Sequence, residues 1–327
     1  MARHVIALIS DAAFLPAGFA TARSILDCGL DDDIQLALVL QPDCLANDVR
    51  AWLQSAHPRI ELVAADAGKF LPDALASWRS VLTPIFLRDA LPEIFPEADR
   101  ILYVDCDVLA TSAVGEAFTL DMEGKAVAAA DNDLVSEMVG VTASWVAYRE
   151  ALGVPLGIPY LNAGILLMDA RAWREQDLKQ KIIATYFANK ERCRYFDQCP
   201  TNLFLKGDFA RLSPAWNFQP SYQAIGAEDI VKPKLVHFAG SAKPWRNDGF
   251  VFRRDYRERY RTILAGTPFE SFFQPCTSLS GKQIKEAWRS LKRTLRGREI
   301  QTGLKRTQIE ALRTKLAALL ASGVFAG

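Results

Sequence analysis

Two carboxylates one residue apart, Asp105 and Asp107, stand where an apolar run ends, in Arg100-Ile-Leu-Tyr-Val-Asp-Cys-Asp-Val-Leu-Ala110. A continuous run of β-branched and aromatic residues is the pattern of a strand buried in the middle of a sheet. Open α/β sheets bind their ligands beyond the carboxyl ends of such strands. Paired acids at that edge suit a hard divalent cation, Mg2+ or Mn2+, which binds through one or two protein carboxylates and the phosphates of a substrate. Asp-x-Asp also occurs at Asp31-Asp-Asp33 and Asp131-Asn-Asp133. The triplet is therefore informative only with its strand context, since turn chemistry alone supplies such acids.

Three further segments carry residues of the right type for a metal or phosphate site, or for close approach of a ligand to the backbone. In Leu235-Val-His-Phe-Ala-Gly-Ser-Ala-Lys-Pro-Trp245, His237 ends a short apolar run and can complete a metal site, because imidazole is an acceptable ligand for Mn2+. A lone His at a strand end is more often structural, but here Gly240 admits close backbone approach and Lys243 supplies a mobile cation. In Tyr160-Leu-Asn-Ala-Gly-Ile-Leu-Leu-Met-Asp169, an amide at Asn162 followed by the small Ala163 and Gly164 lets a ligand approach the backbone, or makes a tight turn into a strand. Asp197 and Gln198, in Tyr195-Phe-Asp-Gln198, add a carboxylate and a carboxamide.

Apolar runs at 4–9, 35–40, 59–64, 100–104, 126–130, 163–168 and 235–238 alternate with helix-like segments such as 18–28 and 169–189. That alternation predicts βα units and a mostly parallel sheet, an α/β fold. With 50% hydrophobic and 24% charged residues in 327, the chain is an ordinary globular one rather than a disordered one. No apolar run is long enough for a transmembrane helix, and the one at the start is broken by Asp11, so it reads as a first strand rather than a signal peptide. Six scattered cysteines without metal spacing read as reduced cytosolic thiols. No Gly-x-Gly-x-x-Gly follows the first strand and no Gly-x-x-x-x-Gly-Lys is present, which disfavours dinucleotide and P-loop sites.

Near Phe272-Phe-Gln-Pro275 the composition turns basic and helical. Ile284, Trp288, Leu291 and Leu295 recur at helical spacing within 283–296, flanked by Lys285, Arg289, Lys292, Arg293 and Arg296. A second helix is expected over 308–320. From Lys282 to Lys315, eleven Lys/Arg against three Glu give +8, and the total of +1 leaves −7 for the rest. A basic tail on an acidic body suits docking on an anionic membrane surface, or a solvated face of a packed helix. Sparse aromatics in the tail argue against nucleic acid. The expected organisation is a catalytic unit over 1–270 and a basic amphipathic helical region over 271–327.

The segments Tyr103-Val-Asp-Cys-Asp107, Tyr160 to Asp169, Tyr195 to Gln198 and Leu235 to Trp245, in that order, resemble the nucleotide-sugar-dependent retaining glycosyltransferases of family 8, the group of bacterial lipopolysaccharide galactosyl- and glucosyltransferases and the glycogenins. The likeness runs from about residue 4 to residue 245, and His-x-x-Gly-x-x-Lys-Pro-Trp is its most specific part. It implies a GT-A type nucleotide-sugar domain, a UDP-hexose donor, Mn2+ or Mg2+ on Asp105, Asp107 and His237, and a saccharide or lipid-linked saccharide acceptor. By the same resemblance Gly240 and Lys243 hold the diphosphate, Asn162, Ala163, Asp131 and Arg88 contact the donor sugar, and Asp11, in Ser10-Asp-Ala-Ala-Phe-Leu-Pro16, bonds the base. The family often has Asn at the place of Ala13. Asp197 is expected on the sugar and Gln198 at its anomeric carbon, with Lys243 assisting departure of the diphosphate. Where the family commonly reads Asp-Gln-Asp, this chain has Cys199 followed by Pro200, which raises the alternative of a weakened or inactive nucleotide-sugar binder. A haloacid-dehalogenase-type phosphatase also places Asp-x-Asp after an apolar strand, but in its first strand and with Thr or Val where Leu109 stands. The implied setting is cytoplasmic, peripheral on the inner face of the membrane, in synthesis of lipopolysaccharide or another surface glycan.

Overall fold

The computed structural model describes residues 3–77, 82–132, 143–247, 249, 252–275 and 306–326. Its strands are β1 (His4–Ser10), β2 (Ile34–Leu40), β3 (Ile60–Ala64), β4 (Arg100–Val104), β5 (Val108–Ala110), β6 (Val127–Asp131), β7 (Leu161–Asp169), β8 (Ala210–Leu212) and β9 (Leu235–His237). Seven form one sheet in the order β3-β2-β1-β4-β7-β6-β8. The pairs among β1 to β4 are parallel, as is β6 with β8, whereas β7 runs antiparallel to both β4 and β6. The sheet is thus mostly parallel, as the alternating pattern predicts. Side chains on its two faces enter two apolar clusters, with Ile6, Leu8, Leu36 and Leu102 on one side and Val5, Ala7, Ile101 and Tyr103 on the other. Burial on both faces explains why these strands read as continuous apolar runs.

The carboxyl end of β4 is where the site begins. After Val104 the chain leaves the large sheet and re-forms as β5, which pairs antiparallel with β9 in a separate two-stranded sheet. The register Val108↔His237 sets His237 beside the residue that follows Asp107. Phe238 N–H donates to the Asp107 carbonyl at 2.9 Å, and Asp105 N–H donates to the Gly164 carbonyl at 2.8 Å. Both acids and the histidine are therefore fixed by backbone pairing.

One expected element differs and another is found where it was expected. The single helix expected over 169–189 is two, Ala170–Glu175 and Leu178–Asn189, broken where Asp177 takes a left-handed conformation at φ +51°. The expected helix over 308–320 is observed as Arg306–Ala321, and it lies on the body with Ile309, Leu312 and Leu316 buried in the same apolar cluster as Leu8. Its Arg313 donates to Asp229 at 2.9 and 2.7 Å. The amphipathic segment at 283–296 lies outside the described residues. Among the described residues, no helix is long and apolar enough to cross a membrane.

Candidate active site

Asp105, Asp107 and His237 offer three ligand atoms that lie within 4.8 Å of one another. His237 Nε2 is 3.3 Å from Asp107 Oδ1 and 3.7 Å from Asp105 Oδ2. The other ring nitrogen, Nδ1, is 3.0 Å from Asn217 Oδ1, and an amide oxygen there makes Nδ1 the protonated nitrogen and leaves Nε2 free to ligate. Two carboxylates and an imidazole are donors that suit Mn2+ or Mg2+. Gly164 makes room for them: a Cβ at this position would fall 2.7 Å from Asp105 Oδ2 and would overlap the His237 ring.

The charges are mutually dependent. Burial alone would raise the Asp107 pKa, but His237 and Lys243 hold it well below the ordinary carboxylate value. Burial and the neighbouring Asp107 charge raise that of Asp105. Burial opposes protonation of His237, and the two carboxylates outweigh it, so its pKa lies above the ordinary value. This is an environment that concentrates negative charge around one imidazole and one ammonium, the kind of site a divalent cation neutralises. Lys243 Nζ pairs with Asp107 and donates to the Phe238 carbonyl at 2.9 Å, and Gly240, at φ +97°, makes the turn between His237 and Lys243 with a backbone conformation that favours glycine.

These groups stand on the wall of a cleft of about 820 Å³, a size that takes a nucleotide-sized ligand. Asp11, Arg88, Asn162, Ala163, Asp197, Gln198, Gly240 and Lys243 all line it with Asp105, Asp107 and His237. The buried Arg88 pairs with Asp197 and donates to the Ala163 carbonyl. Its guanidinium lies 4.9 Å from the centre of the Tyr103 ring. Gln198 Oε1 accepts the Ala163 N–H at 3.2 Å. Asp11 accepts the Phe14 N–H at 2.8 Å, which shapes the loop after β1.

Asp131 is the expected site residue that the structure does not bring to the cleft. The register of β6 shifts between Ala129 and Asp131, and Asp131 is buried with one oxygen 3.0 Å from Arg211 Nη2. The next residue, Asn132, lines the cleft instead and accepts a hydrogen bond from Asn162 Nδ2 at 3.1 Å. Asn162 in turn accepts from Asn217 Nδ2 at 2.9 Å and from Gly164 N–H at 3.1 Å. A chain of amides thus links the cleft floor to His237. Sequence reasoning missed Asn217 and Asn132, because an isolated Asn carries no local signal of a partner far along the chain. It also missed the cleft-lining role of Phe14. Cys199 is fully buried, its Sγ 2.7 Å from the Tyr148 hydroxyl, and it is not among the lining residues.

The α/β sheet thus presents an acid-acid-histidine cluster at the carboxyl edge of β4, in a cleft that takes a nucleotide-sized ligand. The chain matches the model of Glycosyl transferase family 8 over residues 5–249 and belongs to that family. It is 26% identical over 209 residues to General stress protein A of Bacillus subtilis, covering 58% of this chain and 68% of that protein. It is 28% identical over 184 residues to the lipopolysaccharide 1,2-glucosyltransferase of Escherichia coli K12, covering 53% of this chain and 51% of the relative. The match to GlyF of Streptococcus pneumoniae serotype 4 covers 62% of that relative, so the chain spans only part of these proteins. Among solved structures, the galactosyltransferase LgtC in complex with donor and acceptor sugar analogs superposes with a TM-score of 0.65 at 20% identity, covering 82% of this chain and 99% of that one. This likeness shows the fold. Membership of the glycosyltransferase family sets aside the phosphatase reading.

Proposed function

We propose that the protein transfers a hexose, galactose or glucose, from a UDP-sugar to a saccharide acceptor with retention of configuration, in synthesis of lipopolysaccharide or another cell-surface glycan. The observation that carries this reading is the Asp105, Asp107 and His237 cluster with Lys243 in a cleft also lined by Arg88, Asp197 and Gln198. When bound, Mn2+ or Mg2+ would supply Lewis-acid neutralisation of the donor diphosphate. Lys243, placed by Gly240, adds a cation to the same oxygens and stabilises the charge that develops on UDP. Arg88 and Asp197 neutralise one another while facing the cleft, and so present polar edges to sugar hydroxyls without a net charge. Gln198 is a poor nucleophile as a carboxamide. It acts as a dipole beside an oxocarbenium-like centre, with the acceptor hydroxyl attacking from the leaving-group face and losing its proton to the departing phosphate oxygen. Because Cys199 points into a buried aromatic cluster, its replacement of an acid leaves the cleft-lining set intact, which favours an active enzyme over an inactive binder.

The test is release of UDP from a panel of UDP-sugars, with Mn2+ and then with EDTA, on wild type and Asp107→Ala. Release from one donor, at least about a hundredfold slower in the variant or in EDTA, is expected from loss of transition-state charge stabilisation of about 2.7 kcal/mol or more. Near-normal turnover of Asp107→Ala would sink the reading.

We further infer that the protein works in the cytoplasm at the inner face of the membrane, where its acceptor is a lipid-linked saccharide. Supporting this are the eleven basic residues from Lys282 to Lys315. Each basic residue near an anionic surface contributes about 1 kcal/mol. Co-sedimentation with vesicles containing phosphatidylglycerol, lost at high salt and absent with neutral vesicles, is the expected result; no sedimentation with either vesicle would refute it.

A further inference from the structure

Asn217, Asn162 and Asn132 form a line of amides that starts at the metal-ligand cluster and ends in the cleft, and every bond in it has the same polarity. His237 Nδ1–H donates to Asn217 Oδ1 at 3.0 Å, Asn217 Nδ2 donates to Asn162 Oδ1 at 2.9 Å, and Asn162 Nδ2 donates to Asn132 Oδ1 at 3.1 Å. An amide has one accepting oxygen and one donating nitrogen, so fixing the oxygen of one side chain fixes the direction of the next bond. The line begins at the ring nitrogen that carries the proton when Nε2 is the ligating atom. It ends at Asn132, whose oxygen is engaged and whose Nδ2 hydrogens are accepted by no described residue.

The backbone fixes Asn132 as well. Its N–H donates to the Tyr160 carbonyl at 2.7 Å. The residue before it, Asp131, is buried and paired with Arg211 at 3.0 Å. Successive side chains of an extended chain leave on opposite faces, so the burial of Asp131 turns Asn132 to the cleft, which it lines beside Asn162 and Gln198.

We propose that Asn132 reads the hexose of the bound UDP-sugar, with its Nδ2 donating to a hydroxyl oxygen of that ring, and that His237 imposes this polarity through Asn217 and Asn162. The assignment rests on the UDP-hexose reading above and deepens it by naming one residue and one direction of hydrogen bonding. A carboxylate facing the sugar would offer only acceptors. With Asp131 engaged by Arg211, the group presented at the end of β6 is a donor instead. A hydroxyl meets that donor with a lone pair, a fluorine meets it weakly in the same way, and a hydrogen cannot meet it at all. The same line ties the sugar contact to the ligand cluster, because with Nε2 given to a metal the proton stays on Nδ1 and all three amides stay turned the same way.

Calorimetry in the presence of Mn2+ tests this on the full-length wild type, Asn132→Ala and Asn132→Asp. The probes are UDP, the UDP-hexose that wild type binds most tightly, and the monodeoxy and deoxyfluoro analogues of that UDP-hexose. Asn132→Ala should bind UDP as wild type does and the UDP-hexose about tenfold more weakly, the cost of a polar group left without its partner. On wild type the deoxy analogue at one ring position should lose about the same factor, and on Asn132→Ala that analogue should lose nothing further. Asn132→Asp keeps an oxygen for Asn162 Nδ2 but replaces the donor with an acceptor. It should therefore reverse the order of the analogues at that position, wild type preferring fluoro to deoxy and the variant deoxy to fluoro. Wild-type affinity of Asn132→Ala for the UDP-hexose, or equal weakening of UDP and UDP-hexose, would overturn the contact. The same order of analogues on wild type and Asn132→Asp would overturn its polarity. Those results leave the glycosyl-transfer reading standing, whereas failure of wild type to bind any UDP-hexose removes that reading and this assignment together.

Discussion

His237 has its two nitrogens in different company, carboxylates on one side and an amide oxygen on the other, and that division sets its chemistry. With Nδ1 given to Asn217 at 3.0 Å, Nε2 is the nitrogen presented to Asp105 and Asp107. Asn217 is itself fully buried and is held by its bond to Asn162, so it cannot rotate its amide without breaking two contacts. Asn217→Ala should therefore leave the fold in place and weaken Mn2+ binding about 10- to 100-fold, the usual cost of losing the group behind a ligating histidine. Calorimetric titration of Mn2+ into the donor-free protein measures this directly, and an unchanged affinity would refute the orienting role. At this scale the sequence was legible where a residue type is itself the signal. Asp105, Asp107, His237 and Lys243 were visible because carboxylates, imidazole and ammonium do chemistry wherever they are placed. Asn217 was not, because its role is defined by a partner 20 residues away in the chain.

The elements explain why those residues meet. The apolar run of β4 could be read as a buried strand from its composition, and so its carboxyl edge was visible in advance. The antiparallel pairing of β5 with β9 was not, since it joins segments more than a hundred residues apart through three residue pairs, and such non-local pairing has no local pattern. Nor was the direction of β7: an apolar run buried on both faces reads alike whether its neighbours are parallel or antiparallel. Its direction matters, because it brings Gly164 level with the acids, and the Gly164 carbonyl then accepts the Asp105 N–H. A side chain at 164 has nowhere to go. Gly164→Ala should destabilise the fold by about 1–3 kcal/mol, the range for overpacking a close-packed interior, and should abolish Mn2+ binding because Asp105 and His237 must separate. Urea denaturation and Mn2+ titration on the same variant check both halves, and tight Mn2+ binding by the variant would contradict the close packing described here.

For the molecule as a whole, burial determines how its stability responds to pH. The body and its last described segment form one packed unit: the helix Arg306–Ala321 buries Leu316 completely, and Ala326 N–H donates to the Arg211 carbonyl at 2.8 Å. The amphipathic spacing of that helix was legible, whereas its seat on the body depends on Asp229 and Arg211, which nothing in the tail's own sequence identifies. Within the core, Asp89 is the buried acid with the least compensation. It is 1% exposed, and no described residue hydrogen-bonds either carboxylate oxygen. Burial pushes its pKa up to about 7, although Arg88 and Lys179 pull the other way. The sign of the consequence follows from proton counting. Between the unfolded value of about 3.9 and the folded value, the folded chain keeps the Asp89 proton while the unfolded chain gives it up, so the unfolded state binds fewer protons and stability falls as pH rises. Below that window both states are protonated and the penalty vanishes; above it both are ionised and the penalty is full. Asp89→Asn has nearly the same shape and no charge to bury. It should therefore match wild type in urea denaturation near pH 4 and exceed it by about 2–4 kcal/mol at pH 8. A difference that is the same at both pH values would mean that Asp89 ionises freely in the fold, and its burial would then need another explanation.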